Sequence, residues 1–108
     1  MSPPLGDYLN FGNWLTEQRT QVNVTQRALA KKCGLSPAYV ANLERNVSEP
    51  PPLKTCKLLA RALGVGWEEM WQRSFASRLR RWLKREGFSG MPETDLHEIA
   101  KNIKAKSK

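Results

Sequence analysis

The sequence predicts an all-α fold. Three observations carry this. Its apolar residues recur every three or four positions, no run alternates with a period of two, and the periodic segments are bounded by capping residues, glycines and prolines. At 108 residues the chain is long enough for one domain with one core and an appendage.

The first helix is expected from about Tyr8 to Gln21, around Phe11, Trp14 and Leu15, with a vague start because Gly6, Gly12 and two Asn are poor helix formers. A second helix begins after Thr25, whose hydroxyl can take a free backbone N–H, and Val24 with Leu29 stand at hydrophobic-staple positions. Gly34 suits its left-handed end. A third helix follows at once: Ser36 is the N-cap, Pro37 the first helical residue, and Leu35 with Val40 a second staple. It should end near Arg45 or Asn46.

The run Ser48-Glu49-Pro50-Pro51-Pro52 must be a loop, because consecutive prolines remove donors and fix φ. A fourth helix is expected from Leu53 to Leu63, stopped by Gly64, with Cys56, Leu59, Ala60 and Leu63 as its stripe. A short fifth carries Trp67, Met70 and Trp71. A sixth is expected over Phe75 to Glu86, with Phe75, Leu79, Trp82 and Leu83 apolar and five Lys or Arg around them. After Gly87, Pro92 can open a last helix with Leu96, Ile99, Ala100 and Ile103 on one face.

Charge narrows the class of partner. The net charge is +8, which favours a polyanion. It is unevenly spread: residues 25–46 carry net +3 and residues 73–108 net +6, against −1 for residues 1–24 and zero for 47–72. Cys33 and Cys56 are too few for a disulfide scaffold and sit among apolar helical positions, as buried free thiols do. With His97 they make no zinc pattern. The start, MSPPLGDYLN, lacks the blocks of a signal peptide, and Arg61 interrupts the longest apolar run well short of a membrane span. A cytoplasmic, cofactor-free and metal-free protein is therefore expected. No nucleophile–base pair, no carboxylate pair with a partner histidine and no glycine-rich phosphate loop is present, so no enzyme is expected.

The pattern that carries function is Gln26, Ala30, Gly34, Val40 and Leu43, at positions 1, 5, 9, 15 and 18 counted from Gln26. Two helices joined by a tight turn need this set. A small residue at Ala30 admits the second helix, Gly34 makes the turn, and Val40 and Leu43 form its buried stripe. Pro37, Ala38, Tyr39, Ala41 and Asn42 are then left facing outward.

The stretch TQRALAKKCGLSPAYVANLERN resembles the helix-turn-helix of Cro/CI-type (XRE family) regulators, and the likeness extends from about Phe11 to Trp71, including Arg19 and the LARALGV run. The resemblance implies a five-helix, lambda-repressor-like DNA-binding domain over residues 11–72. Residues 1–10 form an N-terminal segment and residues 73–108 a basic helical extension of about two helices. The resemblance puts the third helix in the major groove of double-stranded DNA.

By position, it assigns Ser36, Pro37, Ala38 and Asn42 to base edges, where Asn42 can pair with adenine, Pro37 and Ala38 can only touch a thymine methyl or exclude water, and specificity rests on Asn42, Ser36 and Arg45. It assigns Thr25, Gln26, Tyr39, Arg45 and Asn46 to phosphate, and Arg19 with Glu44 to a partly buried ion pair. Pro37 and Ala38 stand where such repressors often carry Gln, which leaves few hydrogen-bonding groups for reading bases. Glu49 stands where basic residues often reach the DNA backbone.

The implied function is a transcriptional regulator, a repressor bound to an inverted repeat as a homodimer. An antitoxin and a protein-interaction adaptor built on the same domain remain alternatives. Phe75, Leu79, Trp82 and Leu83 are read as the inner face of a helix packed on the domain; the alternative is a dimer interface or protein-partner surface made by Trp67, Trp71, Phe75, Leu79 and Trp82. The Arg78–Arg85 cluster is read as a solvated face, as added phosphate contact, or as the polar side of a helix lying on anionic lipid.

Overall fold

The computed structural model describes residues 10–86. Among them are five helices and no strand: α1 (Phe11–Gln21), α2 (Gln26–Cys33), α3 (Pro37–Glu44), α4 (Leu53–Leu63) and α5 (Trp67–Arg85). The residues expected to form a last helix from Pro92 lie outside the described residues.

Local chemistry sets most boundaries. Thr25 caps α2 by accepting the Ala28 N–H at 3.0 Å, and Ser36 caps α3 by accepting that of Tyr39 at 3.1 Å. Gly34 ends α2 in the left-handed region at φ 69°, and the Leu35 N–H returns to the Ala30 carbonyl at 2.9 Å. α3 ends in the same motif with Asn46 at φ 59° in the left-handed place and the Val47 N–H on the Asn42 carbonyl. Asn tolerates this conformation better than most non-glycine residues.

Two boundaries differ from those expected. α1 begins at Phe11 rather than Tyr8, because the Asn10 side chain accepts the Asn13 N–H at 3.0 Å and so caps the helix there. The expected fifth and sixth helices are one. α5 runs 19 residues without a break, since Gln72-Arg73-Ser74 holds no Gly or Pro, and Ser74 turns its hydroxyl away to the Pro51 carbonyl at 2.5 Å. The helix therefore continues through residue 72, where the sequence reading divided domain from extension.

The core gathers Phe11 and Leu15 from α1, Leu29 and Ala30 from α2, Val40 and Leu43 from α3, Cys56 and Leu59 from α4, and Met70 from α5. Ala30 is fully buried where α2 meets α3, which is the small-residue requirement read from the sequence. Val24 and Leu35 pack against this core as the two staples. Both cysteines are buried and free. Burial pushes the Cys56 thiol up to about 11, against smaller opposing effects of Ser74 and Arg78.

α5 closes the bundle by gripping the prolyl loop. Ser74 donates to the Pro51 carbonyl, Arg78 to that of Pro50 at 2.7 Å and Arg81 to that of Ser48 at 2.8 Å. Arg85 then pairs with the Glu49 carboxylate at 3.5 Å. These residues follow one another at helical spacing, so one stripe of α5 takes the loop's carbonyls in turn. Proline amides cannot donate, so the loop's carbonyls must find their donors elsewhere.

Candidate nucleic-acid interface

The α2–α3 pair is held to α1 by a small polar cluster. Arg19 meets Glu44 through two bonds, Nε at 2.6 Å and Nη2 at 3.0 Å, and its Nη1 donates to the Val24 carbonyl at 2.8 Å. The Glu44 side chain is only 4% exposed. Burial pushes its carboxyl up, but bonds from Arg19, Gln26 and Thr16 and the nearby positive charge outweigh this and leave it below the usual range. The same bond raises the Arg19 guanidinium above its ordinary value. This is the ion pair expected from the sequence, and it ties the last residue of α3 to α1.

Gln26 belongs to the same cluster. Its Nε2 donates to Glu44 Oε1 at 2.9 Å, so it braces the end of α3 while sitting half-buried at the start of α2. The first N–H groups of a helix have no intrahelical acceptor. Thr25 takes that of Ala28, which leaves those of Gln26 and Arg27 available to an anion at a positive helix end.

Ser36, Pro37 and Ala38 are exposed along the first turn of α3. Asn42 lies one turn further, and its Oδ1 accepts a 2.8 Å bond from Arg45 Nη2. Arg45 is thus positioned against Asn42 rather than standing alone. Tyr39 is half-buried against the core; burial raises its phenol pKa, and it also bonds Thr55.

Asn46 has a task that sequence reasoning did not assign. Its Oδ1 accepts the Gly12 N–H at 3.0 Å and its Nδ2 donates to Asn10 Oδ1 at 2.8 Å. With Ser77 Oγ on the Phe11 N–H at 3.2 Å and Asn10 on Asn13, three side chains cap the start of α1. The phosphate role expected of Asn46 therefore competes with two bonds its amide already makes. Gly12 explains the closeness. A Cβ there would fall on the carbonyl oxygen of Glu44 and lie 2.6 Å from that of Leu43. The sequence shows Gly12 only as a poor helix former that blurs the start of α1, and does not reveal its close approach to the end of α3.

The expected interface stripe on α5 is uneven. Trp71 packs against the core and meets Phe75 edge-on at 5.8 Å, whereas Trp67 and Trp82 are 40% and 47% exposed. Lys57 sits 4.8 Å over the Trp67 ring. Phe75 and Leu79 are half-buried. Of the basic cluster, Arg78, Arg81 and Arg85 are engaged with the loop rather than simply solvated.

Among the described residues no group of three His, Cys, Asp or Glu could hold a metal, and no helix is long and apolar enough to cross a membrane. A family model described as helix-turn-helix matches residues 15–70, which is just over half of the chain. No curated protein matches, and no solved structure does.

Proposed function

The chain belongs to the Cro/CI-type (XRE) helix-turn-helix family and is a DNA-binding transcription regulator of that kind, and from this premise we propose that it is a repressor. It binds an inverted repeat as a homodimer, with α3 in the major groove of each half-site and the half-sites about one helical turn apart. Ser36, Pro37 and Ala38 approach base edges and thymine methyls, and Asn42 pairs with adenine. Thr25, Gln26 and Tyr39 hold phosphate. Trp67 and Trp82, at the two ends of the α5 stripe, are the residues for a second copy to cover.

The observation that carries this reading is the mounting of α3. Its last residue, Glu44, is held by Arg19 and Gln26, while its first turn is uncharged, short-chained and exposed. A helix held at one end and bare at the other can approach DNA closely.

Selection of bound sequences from random duplex DNA at fixed salt tests it. A short inverted repeat is the expected result. Binding without enrichment, and only at low salt, would overturn it. The mass of the free chain in solution checks the homodimer.

A further inference from the structure

An open cavity of about 260 Å³ lies at the start of α1; the described residues that line it are Asn10, Asn46, Pro50, Ser77 and three cations, Arg80, Arg81 and Lys84, with no carboxylate among them. The groups that cap α1 (Asn10, Asn46 and Ser77) all border it, so the positive end of that helix faces the same space. Lys84 is exposed, and its ammonium makes no hydrogen bond or ion pair among the described residues. Arg81 is fixed at the rim by its bond to the Ser48 carbonyl and keeps further donors on the guanidinium. Like charges gathered around one space repel, and an anion relieves that repulsion. At about 30 Å³ per water, the space takes a phosphate group with part of its hydration shell.

Asn46, on the cavity's wall, stands two residues beyond the end of α3. Ala38, Asn42 and Arg45 follow at helical spacing on one side of α3, and Asn46 is the next residue. Beside it a second open space is lined by Glu49, Arg81, Lys84 and Arg85, where Arg85 pairs with Glu49. The loop's carboxylate, which would repel a passing DNA strand, is thereby matched by a cation from α5.

We propose that this cavity is a phosphate seat of the DNA interface, in which Lys84, Arg80 and Arg81 hold a backbone phosphodiester just beyond the end of the reading helix. α5 thus supplies the positive charge that the acidic, prolyl loop lacks. The inference rests on the DNA-binding reading of α3, and its contribution is independent of sequence, because phosphate carries no base identity.

The test compares the full-length wild type with Lys84→Gln, using Arg61→Gln as a charge-matched control. Arg61 is exposed and borders a different cavity, beside Lys32, Leu58 and Ala62. Binding to a selected site and to unrelated duplex is measured from 50 to 200 mM salt, with thermal melts to show that each variant is folded. The expected result is an equal weakening of Lys84→Gln on both duplexes, and a slope of log affinity against log salt shallower by about 0.9, the value for one phosphate contact. Ethylation of one backbone phosphate per half-site should abolish the difference between wild type and variant.

An unchanged slope in Lys84→Gln overturns the seat while leaving the reading of α3 intact. So does an equal change in Arg61→Gln, which would mark a general effect of net charge. So does an ethylation-insensitive difference, which would mean that Lys84 acts on DNA binding other than through a backbone phosphate. A wild type that binds no duplex overturns the reading of α3 and the seat together.

Discussion

Arg19 and Glu44 face each other as a two-bond pair between the third turn of α1 and the last residue of α3, with the Glu44 side chain 4% exposed. Removing one partner of such a pair leaves the other charge without compensation, at about 3–5 kcal/mol for a fully buried pair. Arg19 is 15% exposed, so Arg19→Met should cost about 3 kcal/mol, toward the lower end. The double variant Arg19→Met with Glu44→Met should recover part of that loss. Urea unfolding of the three chains checks the order.

The same pair sets an acid limit on stability. The Glu44 pKa is lowered in the folded chain, so its contribution is fully present above the ordinary value of 4.5 and is lost as pH falls through the lower folded value. Stability measured from pH 6 downward should therefore fall below about pH 4.5. In Glu44→Gln the fall should be shallower, because that variant starts weaker but has one fewer carboxylate to protonate.

Gly12 inverts what helix propensity predicts. Replacing a helical Gly by Ala ordinarily gains up to about 1 kcal/mol, and Gly12 stands in the first turn of α1. Here the new methyl would meet the carbonyl oxygens of Glu44 and Leu43, which are backbone and cannot swing aside. Gly12→Ala should lower stability by about 1–3 kcal/mol, as overpacking does. It should also weaken DNA binding even where the chain remains folded, because the shift falls on the end of α3. Unfolding and binding curves on the same preparation separate the two effects.

The bond from Arg45 to Asn42 Oδ1 fixes how the Asn42 amide is turned. Asn42→Ala should lose discrimination at one base position by about 1–3 kcal/mol. Arg45→Ala should blur the same position by a smaller amount, rather than weaken all sequences alike. Affinities for single-base variants of the selected site would show whether the two patterns coincide.

What could be read from the sequence was what is decided locally. Thr25, Ser36 with Pro37, Gly34 and Gly64 each act within a turn or so of themselves, and the helices α2, α3 and α4 sit where those residues placed them. Arg19 and Glu44 could be paired only because the family resemblance supplied the distant partner. The features that escaped are all long-range. Asn46 and Ser77 cap a helix 34 and 66 residues away, and the arginines of α5 answer carbonyls 28 and 33 residues back. Nothing in the pattern of a basic amphipathic helix tells a guanidinium bound to a carbonyl from one left in water. The continuity of α5 escaped for a related reason: two apolar groupings on one long helix read as two helices when their stripes face different neighbours.

The cap that Ser77 places on Phe11 has a consequence in time. A ribosome adds about 5–20 residues per second, so about 3–13 s separate the synthesis of these two residues. During that interval α2 and α3 have emerged with their own caps, while the start of α1 and the carbonyls of the prolyl loop still lack the partners that α5 brings. The reading unit is thus completed only when its last helix, α5, has been made. A product terminated before residue 77 lacks these ties, so truncated chains should compete poorly with the finished protein for its sites on the chromosome.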